Sequence, residues 1–355
     1  MKSKGCIVFL APGFPKNEED TTCIPALQLY VKNFNLVNPF LKIIIIAFQY
    51  PYIRKEYNWN RIKIYSAGGK GRGSVFRLIT WIYVIRYFIK IRRKEKIKGI
   101  HSFWLSECAI IGQLLSKLFN LPHVASLMGQ DAKRSNKYLR YLNFSKLTVT
   151  SGSQFASSIF SEVANSKISL NIPFGIENKN GALITNKNRD IDIIGVGSFI
   201  PLKNYKLFVN IISELKKDIP FIKSLLIGDG EERSEIEKMI AVKNLSENIL
   251  LTGKIPRNDV LNYMKQSKIF LHTSLYESQG LVFLEALYCG LSVVSFNVGY
   301  LPGSKKAFIC NNEAEMINTI KKLLSYENEY EQEIHITIED TAKEFNAIYS
   351  KLGIT

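Results

Sequence analysis

Apolar residues recur along this chain at two spacings. Runs such as 6–11 (CIVFLA) and 41–49 (LKIIIIAFQ) are apolar at nearly every position, the pattern of strands buried on both faces. Between such runs lie helix-length segments whose apolar residues stand three or four apart. The pattern predicts strands at 6–11, 41–49, 62–65, 99–103, 123–128, 146–150 and 167–172, and helices at 22–33, 74–95 and 106–119. This alternation predicts a doubly wound parallel sheet. The polar stretch 177–190, with little that could pack, reads as a linker. The rhythm then restarts, with strands at 192–197, 223–228, 249–252, 269–273 and 292–296 and helices at 204–217, 231–244, 257–267, 280–289 and 313–325. The expected fold is α/β: two Rossmann-like, doubly wound parallel-sheet domains, 1–176 and 177–337, facing a cleft. In such sheets ligands bind beyond the carboxyl ends of the strands. A last amphipathic helix begins at 338, and the tail 338–355 is expected to pack back on the first domain.

A length of 355 residues suits two cores, and 46% hydrophobic residues is ordinary for globular domains. The net charge of +16 is not ordinary. It favours anionic partners: nucleic acid, acidic membrane or phosphorylated small molecules. The basic residues lack the clustering with glycine and stacking aromatics of RNA-binding modules, which argues against nucleic acid. Five scattered cysteines, without a C-x-x-C pair, argue against a disulfide framework or structural zinc and for a reducing, cytoplasmic setting. The apolar run at the N-terminus breaks at Pro12-Gly13, too early for a signal peptide, and reads as a first strand. Segment 75–91 is rich in apolar residues but contains Arg77, Arg86 and Lys90, each costly in a bilayer centre. It reads as a packed amphipathic helix. With Arg92, Arg93, Lys94, Lys96 and Lys98 following, 75–98 also suits peripheral contact with an anionic membrane.

The richest stretch is 276–290, YESQGLVFLEALYCG. Gly280 and Leu281 stand at a helix start, where free backbone N–H groups and the helix dipole favour an anion such as phosphate. Glu285 falls inside the apolar run, and a carboxylate there needs a partner. That partner is either a nearby Lys or a backbone group, or a polar ligand. After the first strand of the second domain comes Gly195-Val196-Gly197-Ser198, but Ile200 replaces the third glycine of a dinucleotide fingerprint. Lys203 in the same loop is either a solvated lysine or a diphosphate contact. Gly228-Asp229-Gly230 ends another strand, as a tight turn or a close approach to a ligand. Asp190-Ile191-Asp192 abuts a buried strand and reads as strand-edge solubility rather than a metal site. The four histidines, His101, His123, His272 and His335, lack metal-ligand spacing. In the first domain, Gly13 follows the first strand, and His101 either caps its strand or serves a site.

Together these positions resemble the family-4 retaining glycosyltransferases of GT-B fold. Glu277 and Glu285 match that family's Glu-x7-Glu motif, within a block 274–299 that follows its S-x-x-E-x-x-G-L-x-x-x-E-A-x-x-x-G-x-x-V-V pattern. The likeness extends through Gly197, Lys203-Asn204, Gly228-Asp229-Gly230 and Leu251-Thr252-Gly253-Lys254-Ile255, and more weakly to Pro12-Gly13, His101, Gly129, Asp131 and 173–177. The resemblance implies transfer of a hexose-type sugar from a nucleotide-diphosphate donor, with retained anomeric configuration and no cofactor or essential metal. The acceptor would be a glycan or a lipid-linked chain, in cell-surface polysaccharide assembly at the inner face of the membrane. It implies catalytic roles for Glu277, Lys203 and His101. Glu285 would take the ribose hydroxyls, and Gly280 and Leu281 the diphosphate, with further donor contacts at Gly197, Ser198, Gly228, Asp229, Lys254 and Gly13. Three departures stand out. Ser198 replaces the usual Arg, Met128 precedes Gly129 where His is usual, and the segment after Gly299 is shortened to Tyr300-Leu301-Pro302-Gly303-Ser304. Two other readings remain open: a degenerate partner subunit that binds a nucleotide sugar, and a GT-B-shaped sugar-nucleotide epimerase.

Overall fold

A computed structural model of the protein describes residues 5–73, 75–178, 189–326 and 330–355. The chain forms two compact units, Met1–Glu177 with Ile336–Thr355, and Asn178–His335. Most of the stretch read as a linker, 179–188, lies outside the described residues.

In the first unit, strands β1 (Cys6–Gly13), β2 (Lys42–Tyr50), β3 (Lys55–Trp59), β4 (Ile62–Ser66), β5 (Ile97–Phe103), β6 (His123–Leu127), β7 (Thr148–Ser151) and β8 (Leu170–Asn171) form one sheet. Its order is β3-β4-β2-β1-β5-β6-β7-β8. All neighbours are parallel except β3 and β4. Helices α1 (Pro25–Val37), α2 (Val75–Lys94), α3 (Glu107–Phe119) and α4 (Gln154–Ala164) connect the strands. The continuous apolar runs are explained by burial on both faces. In β1, Ile7, Phe9 and Ala11 enter a core shared with α1, while Cys6, Val8 and Leu10 enter the opposite core with α2 and α3.

The second unit repeats the plan with β9 (Ile191–Val196), β10 (Ser224–Ile227), β11 (Ile249–Gly253), β12 (Ser267–His272), β13 (Ser292–Ser295) and β14 (Ala307–Ile309), in the order β11-β10-β9-β12-β13-β14. Every pair is parallel. Helices α5 (Tyr205–Asp218), α6 (Arg233–Val242), α7 (Arg257–Lys265), α8 (Leu281–Tyr288) and α9 (Glu313–Leu324) alternate with them.

The last helix, α10 (Ile338–Lys351), belongs to the first unit. It opens with a capping box between Thr337 and Asp340, and buries Ile338, Thr341, Ala342, Phe345 and Tyr349 at helical spacing. Gly175 makes the seat. A Cβ there would lie 2.2 Å from the Thr337 carbonyl, and its N–H donates to the Thr341 hydroxyl at 2.8 Å.

Several elements differ from the sequence expectation. β3 was not anticipated. It pairs with β4 through a two-residue turn at Asn60 and Arg61, both at positive φ, and buries only its end, so its apolar signal is weak. α4 was also missed, although Ser153 caps it by accepting from the Ala156 N–H at 3.0 Å. α1 begins at Pro25, because Ile24 stands in the left-handed region and Pro suits the first helical turn. The strand expected at 167–172 shrinks to Leu170–Asn171, both exposed. β14 was not anticipated either.

Because Phe345 is fully buried among Tyr30, Phe174 and His101, Phe345→Ala is expected to lower unfolding stability by about 3–5 kcal/mol in a urea titration. A loss below about 1 kcal/mol would show that α10 is dispensable to this core.

Candidate active site

All strands of the second sheet are parallel, so the loops after β9, β10, β11, β12 and β13 leave the same carboxyl edge. Gly197 and Ser198 follow β9, Gly228 and Asp229 follow β10, Lys254 follows β11, and Glu277 follows β12. The first glycines serve backbone packing. Gly228 lies at φ 150°, and a Cβ there would sit 1.8 Å from the Gly197 carbonyl oxygen. The Phe199 N–H donates to the Asp229 carbonyl at 2.9 Å, and the Gly228 N–H to the Gly253 carbonyl at 3.1 Å. These glycines therefore draw three strand ends together. Ser198 and Lys254 are exposed. The Asp229 carboxylate accepts from the Gly230 N–H at 2.8 Å, and Arg233 stands 3.9 Å away.

Lys203 ends a short 3-10 turn, Pro201–Lys203, tied to the loop after β12. The Leu275 N–H donates to the Leu202 carbonyl, and the Thr273 hydroxyl to the Lys203 carbonyl, both at 2.9 Å. This clamp brings the Lys203 ammonium into a direct ion pair with Glu277. His272, the last residue of β12, holds the same oxygen, Oε1, from its Nε2 at 2.9 Å. Burial pushes the Glu277 carboxyl up, but the His272 hydrogen bond and the Lys203 charge overcome it and hold the group at about 2. Burial also lowers the His272 imidazole below its ordinary 6.5, against the opposing pull of Glu277. At neutral pH, Glu277 is a carboxylate and His272 a neutral donor. Glu277 can accept hydrogen bonds and oppose positive charge, but it has no proton to donate.

α8 starts immediately after this carboxylate. Gly280 takes φ 77°, and the turn 277–280 is backed by the next loop, where the Tyr300 N–H donates to the Gln279 carbonyl at 2.6 Å. No side chain caps α8, and the N–H groups of Leu281 and Val282 have no partner within the helix, while that of Phe283 donates to the Gly280 carbonyl at 2.9 Å. Glu285 sits one turn further on. Its partner is Arg257, at the start of α7, whose Nε and Nη2 reach Oε1 at 2.8 and 2.7 Å. The sequence left open a lysine, a backbone group or a ligand as the partner. The structure supplies an arginine instead.

Two residues expected at this site lie in the other unit. Gly13 ends β1, where a Cβ would meet Tyr50. His101 calls for a correction. It is fully buried in the core of the first unit, with Nδ1 on the Tyr349 hydroxyl at 2.5 Å and Nε2 on Ser126 at 2.8 Å. The chain of bonds continues from Tyr349 to Tyr30 and from Ser126 to Thr150. His101 thus has both ring nitrogens engaged inside the core, and burial lowers its imidazole well below 6.5. The geometry gives it a packing role rather than a catalytic one. Conversely, His272, Arg233 and Arg257 were not singled out. His272 carried one usable signal, its place at the end of an expected strand.

Residues 179–337 match the family described as glycosyl transferases group 1. An uncharacterized glycosyltransferase of Methanocaldococcus jannaschii is 25% identical over 276 residues, 73% of each chain. The chain is a glycosyltransferase. One chain of human phosphatidylinositol N-acetylglucosaminyltransferase is 34% identical to the transferase over 116 residues, covering 33% of this chain but only 24% of the human one. Among solved structures, Anabaena HepE in complex with UDP and glucose is similar with a TM-score of 0.67 and 16% identity, over 99% of this chain and 100% of that one. At that identity the likeness establishes the fold, which is GT-B.

Two outcomes are expected of the transferase. Arg257→Met strands the Glu285 carboxylate, which is only 12% exposed, and should destabilise by about 1–3 kcal/mol, while adding Glu285→Leu should restore most of it. Urea titration of the two variants decides the point, and a double variant no better than the single one would refute the pairing. Glu277 has a folded value below its ordinary 4.5, so its stabilisation is full above 4.5 and is lost as pH falls towards about 2. Glu277→Gln should remove that part of the acid-side loss, and an unchanged pH–stability curve would contradict it.

Proposed function

We propose that the protein is a retaining glycosyltransferase. It moves a hexose-type sugar from a nucleotide-diphosphate donor to a glycan or lipid-linked acceptor, in cell-surface polysaccharide assembly. The observation that carries this reading is the pairing of Glu277 with Lys203 beside the uncapped start of α8. A diphosphate finds there a cation and free N–H groups, the electrostatic stabilisation a leaving nucleotide needs. Glu277, ionised at neutral pH, accepts hydrogen bonds from donor-sugar hydroxyls and opposes the positive charge that develops at the anomeric carbon. Glu285, turned by Arg257 through one oxygen, offers the other to the ribose hydroxyls. Gly280, Leu281, Gly197, Ser198, Asp229 and Lys254 frame the donor, and no essential metal takes part. The complex of HepE with UDP and glucose supports a UDP-sugar as donor.

A lipid-linked acceptor has two supports. One is the likeness to a phosphatidylinositol N-acetylglucosaminyltransferase. The other is α2, where Val75, Phe76, Leu78 and Ile82 are each more than half exposed. No helix among the described residues is long and apolar enough to cross a membrane. Contact would therefore be peripheral, at the inner face of the cell membrane.

The test is a thermal-shift and turnover panel with UDP-, GDP- and ADP-sugars, with and without a chelator. One base should raise the melting temperature, and the chelator should leave turnover unchanged. Glu285→Ala should lose the shift. Glu277→Ala should keep most of it while losing about 10²–10³ in kcat. Product anomers are read by NMR. Stabilisation by none of the donors, turnover of Glu277→Ala at the parent rate, or an inverted anomer would each overturn the assignment.

A further inference from the structure

The first unit has its own cavity, of about 700 Å³, lined by Arg77 and Trp81 of α2, Ile110 of α3, and Lys137, Tyr138 and Arg140 of the 3-10 turn Lys137–Tyr141. Its position is set by topology. α2 follows β4, α3 follows β5 and the 3-10 turn follows β6, so all three begin at the carboxyl edge of the first sheet. That edge is where open α/β sheets receive ligands.

Three cations, Arg77, Lys137 and Arg140, face this groove and outnumber the one carboxylate nearby, Glu107. Glu107 is buried and engaged by the Trp81 indole N–H at 2.7 Å and by the Gln49 amide. Gln49 in turn accepts from the Gly71 N–H at 2.8 Å, which ties the basic loop Gly69-Lys70-Gly71-Arg72 to the same wall. The groove therefore carries net positive charge on an aromatic floor.

Its flanks are apolar and exposed. On α2, Leu78 and Ile82, 55% and 54% exposed, directly follow Arg77 and Trp81. On α3, Leu114 and Leu118, 51% and 66% exposed, continue the face of Ile110 at intervals of four. Basic residues towards the end of α2 are engaged elsewhere. Arg92 stacks on Phe119 at 4.5 Å, and Lys90 pairs with Glu56. The free apolar surface is at the other end of the helix, beside the groove. A water-soluble anion would use the cations and leave these flanks bare. A phosphate on an acyl or polyprenyl chain uses both.

We infer that the groove between α2, α3 and the turn at 137–141 binds the phosphate-bearing head of a membrane lipid, with Arg77, Lys137 and Arg140 on the phosphate and the exposed leucine and isoleucine side chains in the bilayer surface. This deepens the proposal of a lipid-borne acceptor and rests on it only for the sugar transfer that follows.

The experiment is vesicle co-sedimentation of the full chain, with phosphatidylcholine alone and with phosphatidate added, in the presence and absence of inorganic phosphate. Binding should require phosphatidate. Arg77→Gln with Arg140→Gln should weaken it roughly thirtyfold, as expected for two basic contacts at a charged surface. Leu78→Ser with Ile82→Ser should weaken it as well, with both pairs melting as the parent does. Equal binding to phosphatidylcholine alone, or parent-like binding by the arginine pair, would overturn the inference. So would inorganic phosphate binding without vesicle capture, which would make the source a free anion. UDP-sugar thermal shift on the parent reads the donor site separately: its absence refutes the donor assignment, while vesicle binding reports on the groove alone.

Discussion

A carboxylate removed from water must be given charge or hydrogen bonds, and the second unit is arranged around that requirement. Glu277 and Glu285 are 14% and 12% exposed at the side chain, and each is held by a cation from another element. Lys203 can reach Glu277 only because the turn at 201–203 is bonded to the loop after β12. A few residues before that turn, Gly197 and Gly228 bring the ends of β9 and β10 into close contact. The site is thus preorganised by backbone packing several residues away from its charges.

The same requirement explains why the two glutamates differ. Glu277 shares one oxygen between an ammonium and a neutral imidazole, which holds it ionised across the physiological range. Glu285 has a planar guanidinium on one oxygen, which fixes its orientation as well as its charge. In the proposed transfer, the first arrangement suits a group that meets developing charge and the second a group that recognises hydroxyls.

In the first unit a chain of hydrogen-bonded polar side chains runs through the core itself. His101 is satisfied by Tyr349 and Ser126, and Tyr349 reaches it only because Gly175 lets α10 close onto the end of the first-unit chain. Apolar residues were instead left outside on α2 and α3. α2 buries Thr80, Val84, Phe88 and Ile91, and Trp81, Tyr83, Ile85 and Tyr87 pack partly against the same core, whereas Val75, Phe76, Leu78 and Ile82 near its start stay exposed.

Much of this was legible from residue order. Strands buried on both faces read as unbroken apolar runs, and helices at spacings of three and four, so both sheets and most helices could be placed. The pattern failed at β3, β14 and α4, where short or one-sided burial leaves little periodicity. In the stretch 276–290, a glutamate inside an apolar run signalled a carboxylate in need of a partner, and the fold supplies Arg257. Partners distant in sequence could not be read. Arg257 stands 28 residues before Glu285, and Lys203 lies 74 before Glu277, so only parallel strand order brings them together. His101 and His272 each stand near the end of a strand and look alike in sequence. Tertiary packing puts one against a helix from the far end of the chain and the other against the Glu277 carboxylate, because a side chain's role depends on what the fold places opposite it.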